Sequence, residues 1–327
     1  MAPRACALLL VLVTTLGACA TDSPPSRGHV VIALTIDWEG VEITPEAVDA
    51  LDDLRRRAGI VPITHFVSAA YYTSGAPPAE VTRSLQRLVR AGDELAVHVH
   101  GWRSLVEASA VAPRLSPSFL TGTDALLEFD SGDRGFDTDL DAYDVVALRA
   151  LLRTSRTLLA QSGRPVSQSF RAGGYLGTPK VMRALRAEGF TVDSSATHPD
   201  QFDAAYGLLS ERVRELWPMV DATTQPFLLA DPVAAIVELP LAAIADNADA
   251  DELVRAIARA GERLATAPTR DVFVVLGFHL ETASEYAARV AGALDVVRAR
   301  PDLAAHLTFT TIETMGALAR RSLQAPP

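Results

Sequence analysis

Apolar and β-branched residues fill Val30 to Ile36, and the run ends in Asp37-Trp38-Glu39-Gly40. An uninterrupted apolar run this short reads as a buried strand. The pattern recurs along the chain: an apolar stretch, a few polar residues, then a helical stripe. Strands are predicted over 60–67, 94–99, 165–170, 190–192, 235–239, 271–278 and 307–311. Amphipathic helices come between them. Thr44-Pro45-Glu46 opens the first, with a hydroxyl cap, a proline and an acid in the first turn. Val48, Leu51 and Leu54 form its apolar stripe, and Gly59 stops it. Further helices are predicted over 80–91, 144–161, 178–189, 251–265 and 312–321, and another opens at Thr282 to Glu285, which reads as a capping box. No internal repeat occurs. Strands alternating with helices imply a parallel sheet within one large domain.

Two segments break this rhythm. Residues 103–140 are rich in Pro, Ser, Gly and Asp, and too long for an ordinary connection, which marks a functional loop. Asp137, Asp139 and Asp141 have the spacing of a calcium loop, but Ala142 and Leu148 stand where such a loop needs a glycine and a bidentate acid. Capping of the next helix by Asp141 and Asp144 is the favoured reading. From His198 to Asp231 the pattern is irregular.

The chemistry gathers at strand ends. Asp37, Glu39, His98, His100, Arg171 and His279 all follow the C-terminal ends of predicted strands. In a βα barrel those ends share one face, and that face carries the active site. The expected architecture is therefore a distorted (β/α) barrel of seven or eight strands. Asp37 and Glu39 lie two apart on an extended chain, so they point the same way at about 6–7 Å. Two carboxylates on one face call for a cation or a proton between them. His65, within a strand, is expected to be a partnered core residue.

Composition adds limits. The 327 residues are 49% hydrophobic and 21% charged with net charge −10, an ordinary soluble balance. That acidic balance, without a basic stripe, argues against a nucleic-acid partner. The first 18 residues read as an export signal: Arg4, then an apolar run to Leu16, then Gly17-Ala18 before Cys19. Small residues before a cysteine resemble a bacterial lipobox, which implies a lipidated Cys19 and contact with a bilayer. Residues 19–28 are then a tether, and 29–327 the barrel domain. The expected location is the cell envelope, with Ala20 after the cysteine favouring the outer membrane in a Gram-negative host.

TIDWEG, HVHGW, FRAGGY, VDSS and LGFHLE, in that order and on strand ends, resemble the successive motifs of the polysaccharide deacetylases, carbohydrate esterase family 4. The resemblance spans most of the mature chain. It implies a distorted barrel, one divalent metal ion, usually zinc, and removal of N-acetyl or O-acetyl groups from an acetylated glycan. Residue by residue, it implies that Asp37 is the catalytic base, paired with Arg171. Tyr175 lends a backbone N–H to the oxyanion, His279 is the general acid, Asp193 orients that histidine, and His98 binds the metal. Two positions depart from the family. Trp38 stands where a second aspartate is usual, so Glu39 is expected to supply the metal carboxylate. Trp102 stands where the second metal histidine is usual, so His100 is expected to replace it. Both tryptophans become candidates for substrate binding. Two rivals stay open: a non-catalytic sugar-binding lipoprotein on the same barrel, and a glycosidase using Asp37 with Glu39 or Glu281.

Overall fold

Val30–Trp38 is buried at every position and forms β1. A strand buried on both faces belongs in the middle of a parallel sheet with helices outside it. The structure is a computed structural model that describes residues 27–324 apart from 60, 125, 128, 130, 203–205 and 230–234. The export signal, Cys19 and most of the tether lie outside the described residues. The other strands are β2 (Ile63–Ser68), β3 (Glu94–Val99), β4 (Val166–Ala172), β5 (Val192–Asp193), β6 (Phe227–Leu229), β7 (Ile236–Glu238), β8 (Leu241–Ile244), β9 (Val272–His279) and β10 (Leu307–Thr310).

The sheet runs β6-β7-β5-β4-β3-β2-β1-β9-β8. Only the β6–β7 pairing is antiparallel among the described strands. One edge of β1 is shared: Val30 to Ala33 pair with β10, and Leu34 to Trp38 with β2. Only Leu239-Pro240 separates β7, which lies on β5, from β8, which lies on β9. Proline has no N–H to give a ladder, so the strand kinks there and changes neighbours. The Leu239 N–H donates to Asp193 O and the Leu241 N–H to Ala196 O, both at 2.9 Å, which draws the two ends of the sheet together. The result is the expected single-domain distorted barrel.

Most helices follow their sequence signals. Thr44 caps Pro45–Ala58 through the Ala47 N–H, Asp144 caps Val145–Leu159, and Asp249 with Glu252 forms a capping box on Ala250–Thr266. Thr282 differs from expectation. It makes no cap bond to Ala283–Arg298, and its hydroxyl instead donates to Asp246 Oδ1 at 2.5 Å. Helix Leu208–Leu216, β6 and β8 had no recognised signal in the sequence.

Asp193 and Glu238 are register partners on β5 and β7, fully buried inside the barrel. Burial pushes both carboxyls up, and Glu238 rises further against the Asp193 charge. The fold therefore holds a proton on the pair that the unfolded chain releases near the ordinary glutamate value. That contribution to stability is full below the unfolded value and is lost as pH rises through the folded one. Glu238→Gln keeps an acceptor for the Ala196 N–H (2.8 Å) and offers Asp193 a permanent donor. Its melting temperature should gain on wild type from about pH 5 to pH 8. Parallel melting curves against pH would show that no proton is shared.

Candidate active site

Strand register brings four of the polar residues together in two pairs. Asp37 is the partner of His279 across β1 and β9, and His98 is the partner of Arg171 across β3 and β4. Glu39 and His100 each lie just beyond a strand end, over the same mouth. Ligand atoms of Glu39, His98 and His100 lie within 4.8 Å of one another, as do those of Asp37, Glu39 and His279.

The two histidines are held alike. His98 Nδ1 is 2.9 Å from Arg171 O, and His100 Nδ1 is 2.7 Å from Phe136 O. A carbonyl only accepts, so each Nδ1 carries the proton and each neutral Nε2 presents a lone pair. Those lone pairs face each other at 3.1 Å. Glu39 Oε2 joins them, 2.5 Å from His100 Nε2 and 3.5 Å from His98 Nε2. This oxygen is buried and has no geometric hydrogen-bond partner. Three acceptors aimed at one point need a cation. An imidazolium at either histidine would meet the same need, and it is that positive charge that acts on Glu39. Burial pushes the Glu39 carboxyl up, but His100 and His98 outweigh it and hold it well below the usual range. Burial pulls His98 down, but Glu39 and Asp37 leave it raised. Two imidazoles and one carboxylate also make an ordinary zinc donor set with room for a further ligand.

The Glu39 turn is clamped from both sides. Its N–H donates to Glu281 Oε1 at 3.0 Å, and its C=O accepts from Trp102 Nε1 at 2.8 Å. Gly40 follows with φ +91, where a Cβ would lie 2.9 Å from Ser68 Oγ and from Ala70 Cβ. Only glycine takes that turn without strain.

Asp37 is 2% exposed and accepts from Arg171 Nη1 at 2.6 Å. Arg171 is fully buried. Its guanidinium also donates to Thr35 Oγ1, Ser194 O and Ser194 Oγ, and stacks 4.2 Å over the Phe66 ring.

His279 Nε2 lies 3.3 Å from Glu39 Oε1 and 3.2 Å from the Tyr175 hydroxyl. Its Nδ1 lies 3.0 Å from Asp246 Oδ1. Burial pulls His279 down, but the Asp246 carboxylate prevails and pushes it up to about 10. Tyr175 has φ +62, a costly conformation for an aromatic residue, and Trp217 Nε1 donates to its carbonyl at 3.0 Å.

Several expectations need correction. Asp246, not Asp193, orients His279. Asp193 accepts from the Ser195 hydroxyl at 2.7 Å and sits against Glu238, one layer below the mouth. The signal for Asp246 was an acid after the short apolar run Leu241–Ile244, which was not recognised as a strand. Trp38 is fully buried and donates to His65 Nδ1 at 3.1 Å. Alternation turns it away from Asp37 and Glu39, so it does not face the mouth where a substrate was expected to meet it. Trp102 is also buried, between the Glu39 carbonyl and the Phe129 and Phe136 rings. Glu281 accepts from the Glu39 and Val41 N–H groups and from the Tyr71 hydroxyl, so it anchors backbone rather than facing a sugar. Asp137 and Asp139 are taken by Ser118, Leu127, Asp141 and Arg212, which leaves no calcium loop.

No family model and no curated protein matches this sequence. Solved structures do match. A protein provisionally assigned as a polysaccharide deacetylase from Mycobacterium smegmatis superposes with TM-score 0.53 at 16% identity, over 93% of this chain and 94% of that one. Another so assigned, from Pseudomonas aeruginosa PAO1, gives 0.51 at 12% identity over 91% and 93%. PuuE allantoinase gives 0.53 at 11% identity over the same shares. These superpositions show that this chain has the polysaccharide deacetylase fold.

Proposed function

We propose that the protein is a divalent-metal-dependent hydrolase that removes acetyl groups, N-acetyl above all, from a cell-surface or extracellular glycan. The observation that carries this reading is the convergence of two histidine lone pairs and an unbonded carboxylate oxygen between Asp37–Arg171 and His279–Asp246. Glu39, His98 and His100 would hold a divalent ion, most simply zinc, which would supply Lewis acidity to a water and an acyl oxygen. Asp37, held against the Arg171 guanidinium, accepts the proton of the attacking water. His279, kept protonated by Asp246, donates to the leaving nitrogen, which departs badly as an unprotonated amine. The Tyr175 hydroxyl lies 3.2 Å from His279 Nε2, and the backbone N–H of the same residue is the one assigned to the developing oxyanion.

The rival sugar-binding module makes no use of a buried base–arginine pair and a histidine–aspartate pair on one mouth. Metal analysis of the purified barrel domain decides between them, with acetate release measured on a panel of N-acetylated glycans. Bound zinc with acetate release supports the enzyme. Glycan binding without acetate release would leave the binding module.

Anchoring belongs to the same reading. With Cys19 lipidated, Cys19→Ser should move the protein from the membrane fraction to the soluble one and abolish lipid labelling. Unchanged fractionation and mass would end the lipoprotein reading.

A further inference from the structure

We propose that the 103–140 segment builds the metal site, with Phe136 and Gly173 as positioning residues for His100. The proposal rests on the metal reading above. His98 lies within β3 and is fixed by its pairing with β4, but His100 lies past Val99, where the strand has ended. Something other than the sheet must hold its ring.

The ring sits in a slot. Phe136 stacks on one face, with centroids 4.2 Å apart and planes 10° from parallel, and the same residue's carbonyl takes the Nδ1 proton. Gly173 closes another side: a Cβ there would lie 2.6 Å from His100 Cε1 and Nδ1. Even alanine at 173 would push the imidazole out. Phe136 is itself pinned. The Arg103 N–H donates to Arg134 O at 2.7 Å, and a Cβ on Gly135 would lie 2.4 Å from Gly101 O, so the segment runs directly against the backbone beyond β3. Next to Phe136, Asp137 accepts from the Ser118 hydroxyl at 2.5 Å and the Leu127 N–H at 3.1 Å. The slot therefore sets both the proton position and the aim of Nε2, and these decide whether a histidine can bind a metal.

The test uses metal-free full-length protein titrated with Zn²⁺ against a chromophoric chelator. Visible spectra of the Co²⁺ form report geometry, and melting curves report folding. Gly173→Ala and Phe136→Ala should each weaken zinc by about 10–100-fold, the range found for groups that orient metal ligands. Phe136→Tyr should restore it. In the metal-free protein, ¹⁵N shifts should show His100 protonated at Nδ1 in wild type and exchanging between tautomers in both alanine variants. Wild-type affinity in folded Gly173→Ala and Phe136→Ala would overturn the proposal. If Gly173→Ala does not fold, Phe136→Ala against Phe136→Tyr decides it. A wild-type protein that binds no zinc would sink the metal reading, and the slot would then stand or fall on the ¹⁵N shifts.

Discussion

His98→Ala and His100→Ala should each lose stoichiometric zinc, and kcat/KM on an acetamido sugar should fall by about a thousand-fold, roughly the 4 kcal/mol a Lewis acid supplies. Each substitution removes one of three donors around a single point and leaves Glu39 Oε2 short of a positive partner in a buried place. Folding should survive, because the barrel is held by its sheet and helices, and neither imidazole is part of the apolar core. Asp37→Asn makes the contrast. It touches the second cluster but not the three donors, so zinc should stay bound while turnover falls by about 10²–10⁴-fold, the range for losing a general base. Inductively coupled plasma analysis and acetate release on the same preparations read both quantities. Full zinc content in His98→Ala, or lost zinc in Asp37→Asn with the fold intact, would mean that the ligands are assigned wrongly.

The barrel was legible because its strands are short apolar runs and its polar residues cluster at one end of each. Local signals suffice for that: Thr44 and Asp144 announce their helices within four residues. The nearness of Glu39, His98 and His100 was legible for the same reason, since the strands of one parallel sheet bring their C-terminal ends to one side. The failures share a different cause. Asp246 was missed because β8 is four residues long and follows a proline kink, so its apolar run merges with that of β7. Trp38 and Trp102 were assigned to substrate because they adjoin motif residues. Side-chain direction decides their place, and direction follows from alternation for Trp38 and from the Glu39 turn for Trp102. The role of Phe136 could not be read at all. Its partner His100 is 36 residues away, and their meeting depends on how an irregular segment folds back over the end of β3.

His279→Ala should separate amide from ester substrates. The wild-type imidazolium is poised by Asp246 on one side, while Nε2 faces the mouth beside Glu39 and Tyr175. Breaking a C–N bond expels an amine, which needs a proton as it leaves. Breaking an O-acetyl ester expels an alkoxide, which departs with less help. Loss of the acid should therefore cost N-acetyl substrates about 10²–10⁴-fold and O-acetyl substrates far less. Zinc content should not change, because His279 is not one of the three converging donors. The pH profile adds an independent check. A protonated acid is needed for turnover, so the rate falls on the alkaline side as His279 loses its proton. Asp246 is the main group holding that proton, and Asp246→Asn should move the alkaline limb to lower pH. His279→Ala should remove that limb altogether. Equal losses on amide and ester, with the limb unmoved in Asp246→Asn, would show that His279 serves as something other than the acid.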